Sequence, residues 1–175
     1  MQKPLSIAVL AVASVVAVAT SPAYDYTEYE AAEGEPTLVE AGGELVYTAR
    51  IGVTPDVAAA AAPGVGVRWA DGEEGPLQVE AVLPSGEVVR DTLTVREARD
   101  LSGGFSVGLW ELFADCAEPE ADGLCWREVD VFVLSTGADA RELTAFAYVD
   151  AYGTWPEGVE EGDARVAVEI LPFEQ

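Results

Sequence analysis

Residues 77–95 read LQVEAVLPSGEVVRDTLTV, and this stretch decides the fold. Leu77, Val79, Ala81 and Leu83 fall on one side of an extended chain. PSGE (84–87) then supplies turn formers, and VVRDTLTV resumes the extended pattern. The reading is a β-hairpin. The same alternation recurs in both directions from it. ELVYTARI (44–51) places Leu45, Tyr47, Ala49 and Ile51 together, and FSVGLWELF (105–113), WREVDVFVL (126–134), LTAFAYVDAY (143–152) and ARVAVEIL (164–171) follow. VGVRW (65–69) and TLVE (37–40) read as shorter edge strands. Period-2 runs separated by turn signals predict an all-β antiparallel sandwich, Ig-like or jelly-roll-like, of about seven to nine strands. Two stretches read as helical turns. TPDVAAAAAPG (54–64) offers Thr54 as N-cap, Pro55 at the first helical position and Pro63-Gly64 as a stop, and REARDL (96–101) is the second.

The two cysteines lie in DCAEPEADGLCWREVDVFV (115–133). Their compartment follows from the N-terminus, where Lys3 precedes an uncharged run from Leu5 to Ala19 and small residues. That run is shorter than the roughly 20 apolar residues that span a bilayer. Residues 1–23 therefore read as a signal peptide, cleaved after Ala19 or Ala23, and the protein as secreted or periplasmic. Export implies an oxidising compartment and a structural disulfide between Cys116 and Cys125. A hairpin between the flanking apolar runs would bring the thiols together. Residues 24–36 (YDYTEYEAAEGEP) read as an acidic flexible arm, or more sharply as an arm that pairs with another subunit, and 37–175 as a single domain. The widely spaced cysteines of immunoglobulin domains are absent.

After cleavage the chain keeps eight arginines against 32 acidic residues, a net charge of −24, and has no Lys, His, Met or Asn. Such a surface repels nucleic acid and anionic lipid. GC-rich codon usage and a saline, halophilic habitat account for this composition together, because at 1 M salt the Debye length falls to about 3 Å. Without Asn there is no N-glycosylation.

Catalysis has little vocabulary here. There is no His and no free thiol, and no GxSxG or HExxH motif occurs. A carboxylate pair acting as a small extracellular hydrolase is the alternative to a non-catalytic role. No cofactor is expected. Calcium is the metal that oxygen-rich loops could hold, at Asp71, Glu73 and Glu74, at 118–122 or at 160–163, although none has EF-hand spacing.

The aromatic residues are the stronger lead. Phe146, Tyr148 and Tyr152 share one strand face, opposite Leu143, Ala145, Ala147 and Val149. Trp126 and Phe132 share a face with Glu128 and Asp130, opposite Val129, Val131 and Val133. If the aliphatic sides form the core, the aromatic sides make an outer platform suited to a glycan or a partner protein. Trp155, held between Gly153 and Pro156, reads as a loop aromatic at the end of that platform. The sequence therefore predicts an extracellular binding or structural module, adhesive or self-associating, with Phe146, Tyr148, Tyr152 and Trp155 as ligand-binding residues.

Overall fold

The computed structural model describes residues 26–70, 75–94, 97, 103–153 and 164–173. Its strands are β1 (Tyr26–Glu33), β2 (Thr37–Val39), β3 (Glu44–Val53), β4 (Ala61–Trp69), β5 (Leu77–Val82), β6 (Val88–Leu93), β7 (Gly104–Gly108), β8 (Cys125–Ser135), β9 (Arg141–Gly153) and β10 (Val166–Pro172). They form two five-stranded antiparallel sheets. Sheet one runs β1-β9-β4-β7, with β2 also on the β9 edge, and sheet two runs β10-β3-β8-β5-β6. The protein is an all-β sandwich.

The alternating runs build it as their spacing requires. Leu45, Tyr47, Ala49 and Ile51 of β3, Leu77, Val79 and Ala81 of β5, and Val129, Val131 and Val133 of β8 are buried against Val65 and Val67 of β4 and Leu143, Ala145, Ala147, Val149 and Ala151 of β9. Each fully buried Val, Leu or Ile contributes roughly 1.5–3 kcal/mol of transfer free energy. The hairpin turns through Leu83 to Glu87, where the Leu83 N–H donates to the Glu87 carbonyl at 2.8 Å. Gly86 sits there at φ 83°, a left-handed conformation that costs glycine least.

Tyr47 joins the sheets by hydrogen bonds through the core. Tyr47 crosses the core from β3, and its hydroxyl accepts from the Gly66 N–H at 3.0 Å. The same hydroxyl lies within donating distance of the Gly66 carbonyl (2.6 Å) and the Phe146 carbonyl (2.9 Å). Gly66 and Phe146 are register partners in the β4–β9 ladder, so the hydroxyl sits between two paired strands. Burial pushes the Tyr47 phenol well above its ordinary value of 10.0.

Several expectations are corrected. Residues 26–33 are a strand of the sheet, not a flexible arm, and they pair with β9 of their own chain. The long β9 has an edge to satisfy, and the tyrosines suit a strand. The disulfide forms, with Cα atoms 5.8 Å apart. It does not close a hairpin, because β7 lies in sheet one and β8 in sheet two. It staples the crossover between them. The apolar run into that crossover stops being a strand at Gly108, and Leu109, Glu111 and Phe113 carbonyls accept from residues three positions on in successive turns. VGVRW is not an edge strand, since β4 lies between β9 and β7.

The helix expected at 54–64 shortens to a 3₁₀ helix, Pro55–Ala60. Thr54 makes no side-chain cap and instead accepts from the Arg165 N–H at 3.1 Å. Pro63-Gly64, expected as the stop, belongs to β4. Pro63 accepts from the Leu109 N–H, so its missing donor faces the end of β7, where the ladder stops. Of REARDL, Glu97 alone is described. Its carboxylate accepts from the Thr94 N–H at 2.9 Å while its N–H approaches the Thr94 hydroxyl at 3.4 Å, a capping box.

Candidate functional site

The outer face of sheet one is built by glycines. In β4, Val65, Val67 and Trp69 point inward and Gly64, Gly66 and Arg68 fall on the opposite side, where the two glycines are covered and Arg68 is exposed. In β7, Val107 points inward, leaving Gly104, Ser106 and Gly108 outward. The register aligns them as Gly64↔Gly108, Gly66↔Ser106 and Arg68↔Gly104. Two neighbouring strands thus carry a strip nearly without side chains, of which the β7 positions Gly104, Ser106 and Gly108 are half-buried and the β4 glycines are covered. The sequence signal for it is the alternation in PGVGVR and the glycines that open and close GFSVG.

Aromatic rings wall this strip on the β9 side. Phe146 and Tyr148 stack at 5.7 Å, and Tyr148 stacks on Tyr29 of β1 at 6.4 Å. The Tyr148 ring lies over Gly64, where a Cβ would come within 2.5 Å of it. The Arg68 guanidinium covers Phe146 at 4.1 Å and pairs with Glu33 of β1 at 2.7 Å. On the far side Trp110, 78 % exposed, stands by Gly108, with the indole nitrogen 3.0 Å from the position of a Cβ there. At the other end of the strip, away from Tyr148 and Trp110, lies a cavity of about 340 Å³, lined by Arg68, Gly103, Gly104, Phe105, Ser106 and Phe146.

The aliphatic side of β9 is core and the aromatic side faces outward. Phe146, sandwiched by Tyr148 and Arg68, is only 9 % exposed and acts as a wall, while Tyr152 is 44 % exposed near the strand end. Trp155 lies outside the described residues. Trp110, expected inside a strand, lies in the crossover after β7, and neither Arg68 nor the glycine strip is among the expected site residues.

The outer face of sheet two is also aromatic, but its groups are committed to one another. Trp126 lies over Gly52 and under Arg50, whose guanidinium is 4.3 Å from the ring. Arg50 also approaches Glu120, Glu128 and Glu169 at 3.3–3.9 Å. The Trp126 N–H donates to Asp122 at 2.8 Å. Hydrogen bonds from the Leu124 N–H and the Trp126 indole hold the Asp122 carboxyl below its ordinary value. Arg127 does the same to Asp115, donating to it at 2.7 Å.

These commitments bear on calcium. Asp122 and Glu120 of the 118–122 loop serve Trp126 and Arg50, and among the described residues no three acidic side chains converge as a metal site. Residues 71–74 and 160–163 lie outside the described residues. Chemically, the sheet-one face offers stacking surfaces, a guanidinium, a hydroxyl and backbone groups.

The closed disulfide fits an oxidising compartment. Among the described residues no helix is long and apolar enough to cross a membrane. No protein-family model, no curated protein and no solved structure matches the chain.

Proposed function

We propose that this is a secreted, non-catalytic binding module of an extracellular structure, and that it grips a neutral glycan on the outer face of sheet one. The observation that carries the reading is the glycine strip walled by Tyr148, Phe146 and Trp110. A pyranose ring has an apolar face that lies flat on an aromatic ring and hydroxyls that need fixed partners. The cavity lets a sugar approach the β7 backbone at Gly104 and Ser106, and Arg68, Ser106 and Glu33 supply donors and acceptors. The charge chooses among glycans. A domain with 32 acidic residues and eight arginines after signal cleavage repels uronate and sulfated polymers, so the favoured ligand carries no charge. The acidic surface suits a saline habitat, where screening leaves stacking intact.

Isothermal titration and tryptophan fluorescence against neutral and anionic polysaccharides test this reading. Trp110→Ala is expected to weaken neutral-glycan binding at least tenfold, about 1.4 kcal/mol. It should leave the melting temperature nearly unchanged, since Trp110 is 78 % exposed. Wild-type affinity in Trp110→Ala, or a preference for anionic polymers, refutes it. Hydrolysis of the bound glycan would restore the carboxylate-pair hydrolase.

A further inference from the structure

The first strand joins the sandwich differently from its neighbours. β1 pairs with β9 over eight residues, from Tyr26↔Gly153 to Glu33↔Phe146. Yet none of its side chains from Glu28 to Glu33 is buried. The positions that face inward, opposite Ala151, Val149 and Ala147, are Glu28, Glu30 and Ala32. The apolar core is complete without β1. What holds the strand is the backbone ladder, contact with β10 of the facing sheet, the Tyr29–Tyr148 stack and the Glu33–Arg68 ion pair. β9 has the opposite need, because without a neighbour its edge from Phe146 to Gly153 exposes a row of backbone donors and acceptors.

A break separates β1 from the next anchored segment. Glu33 lies opposite Phe146 and Thr37 opposite Leu143, so Gly34, Glu35 and Pro36 span the two positions Thr144 and Ala145. The Gly34 N–H reaches the Ala145 carbonyl at 2.9 Å, and Glu35 and Pro36 are exposed. Beyond the break β2 holds the same β9 edge by itself, with Val39 buried. β1 can therefore leave its place while β2 stays.

We propose that β1 is an exchange strand, and that the β9 edge of one molecule is filled by β1 of a second copy of this chain. The contacts are identical in cis and in trans, so exchange is opposed by little beyond the conformation of residues 34–36 and is favoured by concentration. Tyr29 and Glu33 lie on the outward side of β1, so the incoming strand delivers part of the aromatic and ion-paired wall of its neighbour. The face is then built from two chains. Exchange also brings Glu28, Glu30 and Glu33 onto another acidic domain, so it requires salt to screen the repulsion. None of this depends on a glycan, and its failure leaves the ligand reading untouched.

Cysteine pairs test it, because the two native cysteines are joined to each other and no free thiol competes. Gly34 and Ala145 form a hydrogen-bonded pair, so the alternation of the ladder makes Tyr29 and Asp150 a non-hydrogen-bonded pair. Cα atoms in such a pair lie about 4.5 Å apart, within disulfide range. Tyr29→Cys and Asp150→Cys are made in separate chains, co-refolded from urea with the native disulfide intact, and oxidised at low salt and at about 1 M NaCl. The expected product on a non-reducing gel is a mixed covalent dimer with one chain of each variant, severalfold more abundant at high salt. The double variant, refolded dilute, should close within one chain and then no longer assemble. Closure of the double variant with no mixed dimer at any salt or concentration overturns the proposal. Failure of the double variant to close also overturns it, because the β1–β9 register would then be wrong.

Discussion

Tyr47→Phe removes one oxygen from the middle of the sandwich and leaves the ring that fills the space. In the wild type the hydroxyl accepts from the Gly66 N–H at 3.0 Å and donates to a carbonyl of Gly66 or Phe146. Without it, one buried donor and at least one buried acceptor lose their partner. Each such group costs about 1–3 kcal/mol when left unsatisfied. Partial closure of β4 onto β9 recovers some of that, which sets the expected loss at about 3 kcal/mol. For a domain of this size the melting temperature then falls by about 6–12 °C. Urea and thermal unfolding followed by circular dichroism at fixed salt read it, with an unchanged m-value showing that the native state stays compact. A second readout is alkaline stability. Because burial raises the phenol in the folded state, the contribution of Tyr47 is fully present below its ordinary value near 10 and declines as pH rises beyond that. The variant should lose this alkaline limb. A loss under about 0.5 kcal/mol, with the alkaline limb intact, would show that the hydroxyl does not join the sheets.

Reducing Cys116–Cys125 should lower stability by about 2.7 kcal/mol, since it reopens a loop of about ten residues, and an unchanged melting temperature on reduction would contradict this. Stability should rise steeply between low salt and about 1 M with either of two monovalent salts, and a flat series would mean that the acidic groups are already compensated. Gly66→Ala should cost about 3 kcal/mol because its Cβ would lie 2.0 Å from the Phe105 carbonyl oxygen, while Gly108→Ala should cost under about 1, meeting only the exposed Trp110 ring. Equal effects in denaturant titrations would refute the packing of β4 on β7. In about 1 M salt, where repulsion is screened, the contributions of Asp115 and Asp122 persist above the ordinary carboxylate value of 3.8 and are lost as pH falls below it. Asp115→Asn and Asp122→Asn should each flatten that acid limb in pH-resolved melting.

What could be read from the sequence depended on how cleanly each strand divides water from core. β3, β5, β8 and β9 alternate aliphatic and polar residues because both of their sheet neighbours lock them in place, and their inward residues are those that the period-2 reading selects. β1 gave no such pattern, since an edge strand can turn Glu28 and Glu30 inward and still leave them in water. The alanine run at 54–64 reads as a helix by propensity. Its second half is extended because the outward positions of β4 must be small to pass beneath Tyr148. Leu112 and Phe113 misled in the other direction, being buried by turns rather than by a strand. The candidate site was half legible. The aromatic side of β9 follows from alternation, whereas the exposure of Trp110 is set by a crossover that local sequence does not encode.

The two outer faces share one device and use it to opposite ends. On each, an arginine lies over an aromatic ring, Arg50 on Trp126 and Arg68 on Phe146, and on each a glycine lies beneath a ring. A guanidinium suits this place because it stacks on the ring while keeping its donors for carboxylates, which an ammonium does less well. On sheet two the arrangement is closed, with three glutamates around Arg50 and the Trp126 N–H held by Asp122, so a ligand would have to replace ion pairs already made. On sheet one, among the described residues, a single glutamate, Glu33, meets Arg68, and it arrives on the exchangeable strand. The neighbouring β7 carries no charged residue in GFSVG, in a chain where acids outnumber bases more than threefold. An uncharged, side-chain-poor strip beside stacked rings is where an acidic surface can lose water to a neutral partner at least electrostatic cost. That asymmetry, rather than the aromatic content common to both faces, is the physical reason why the proposed binding falls on sheet one.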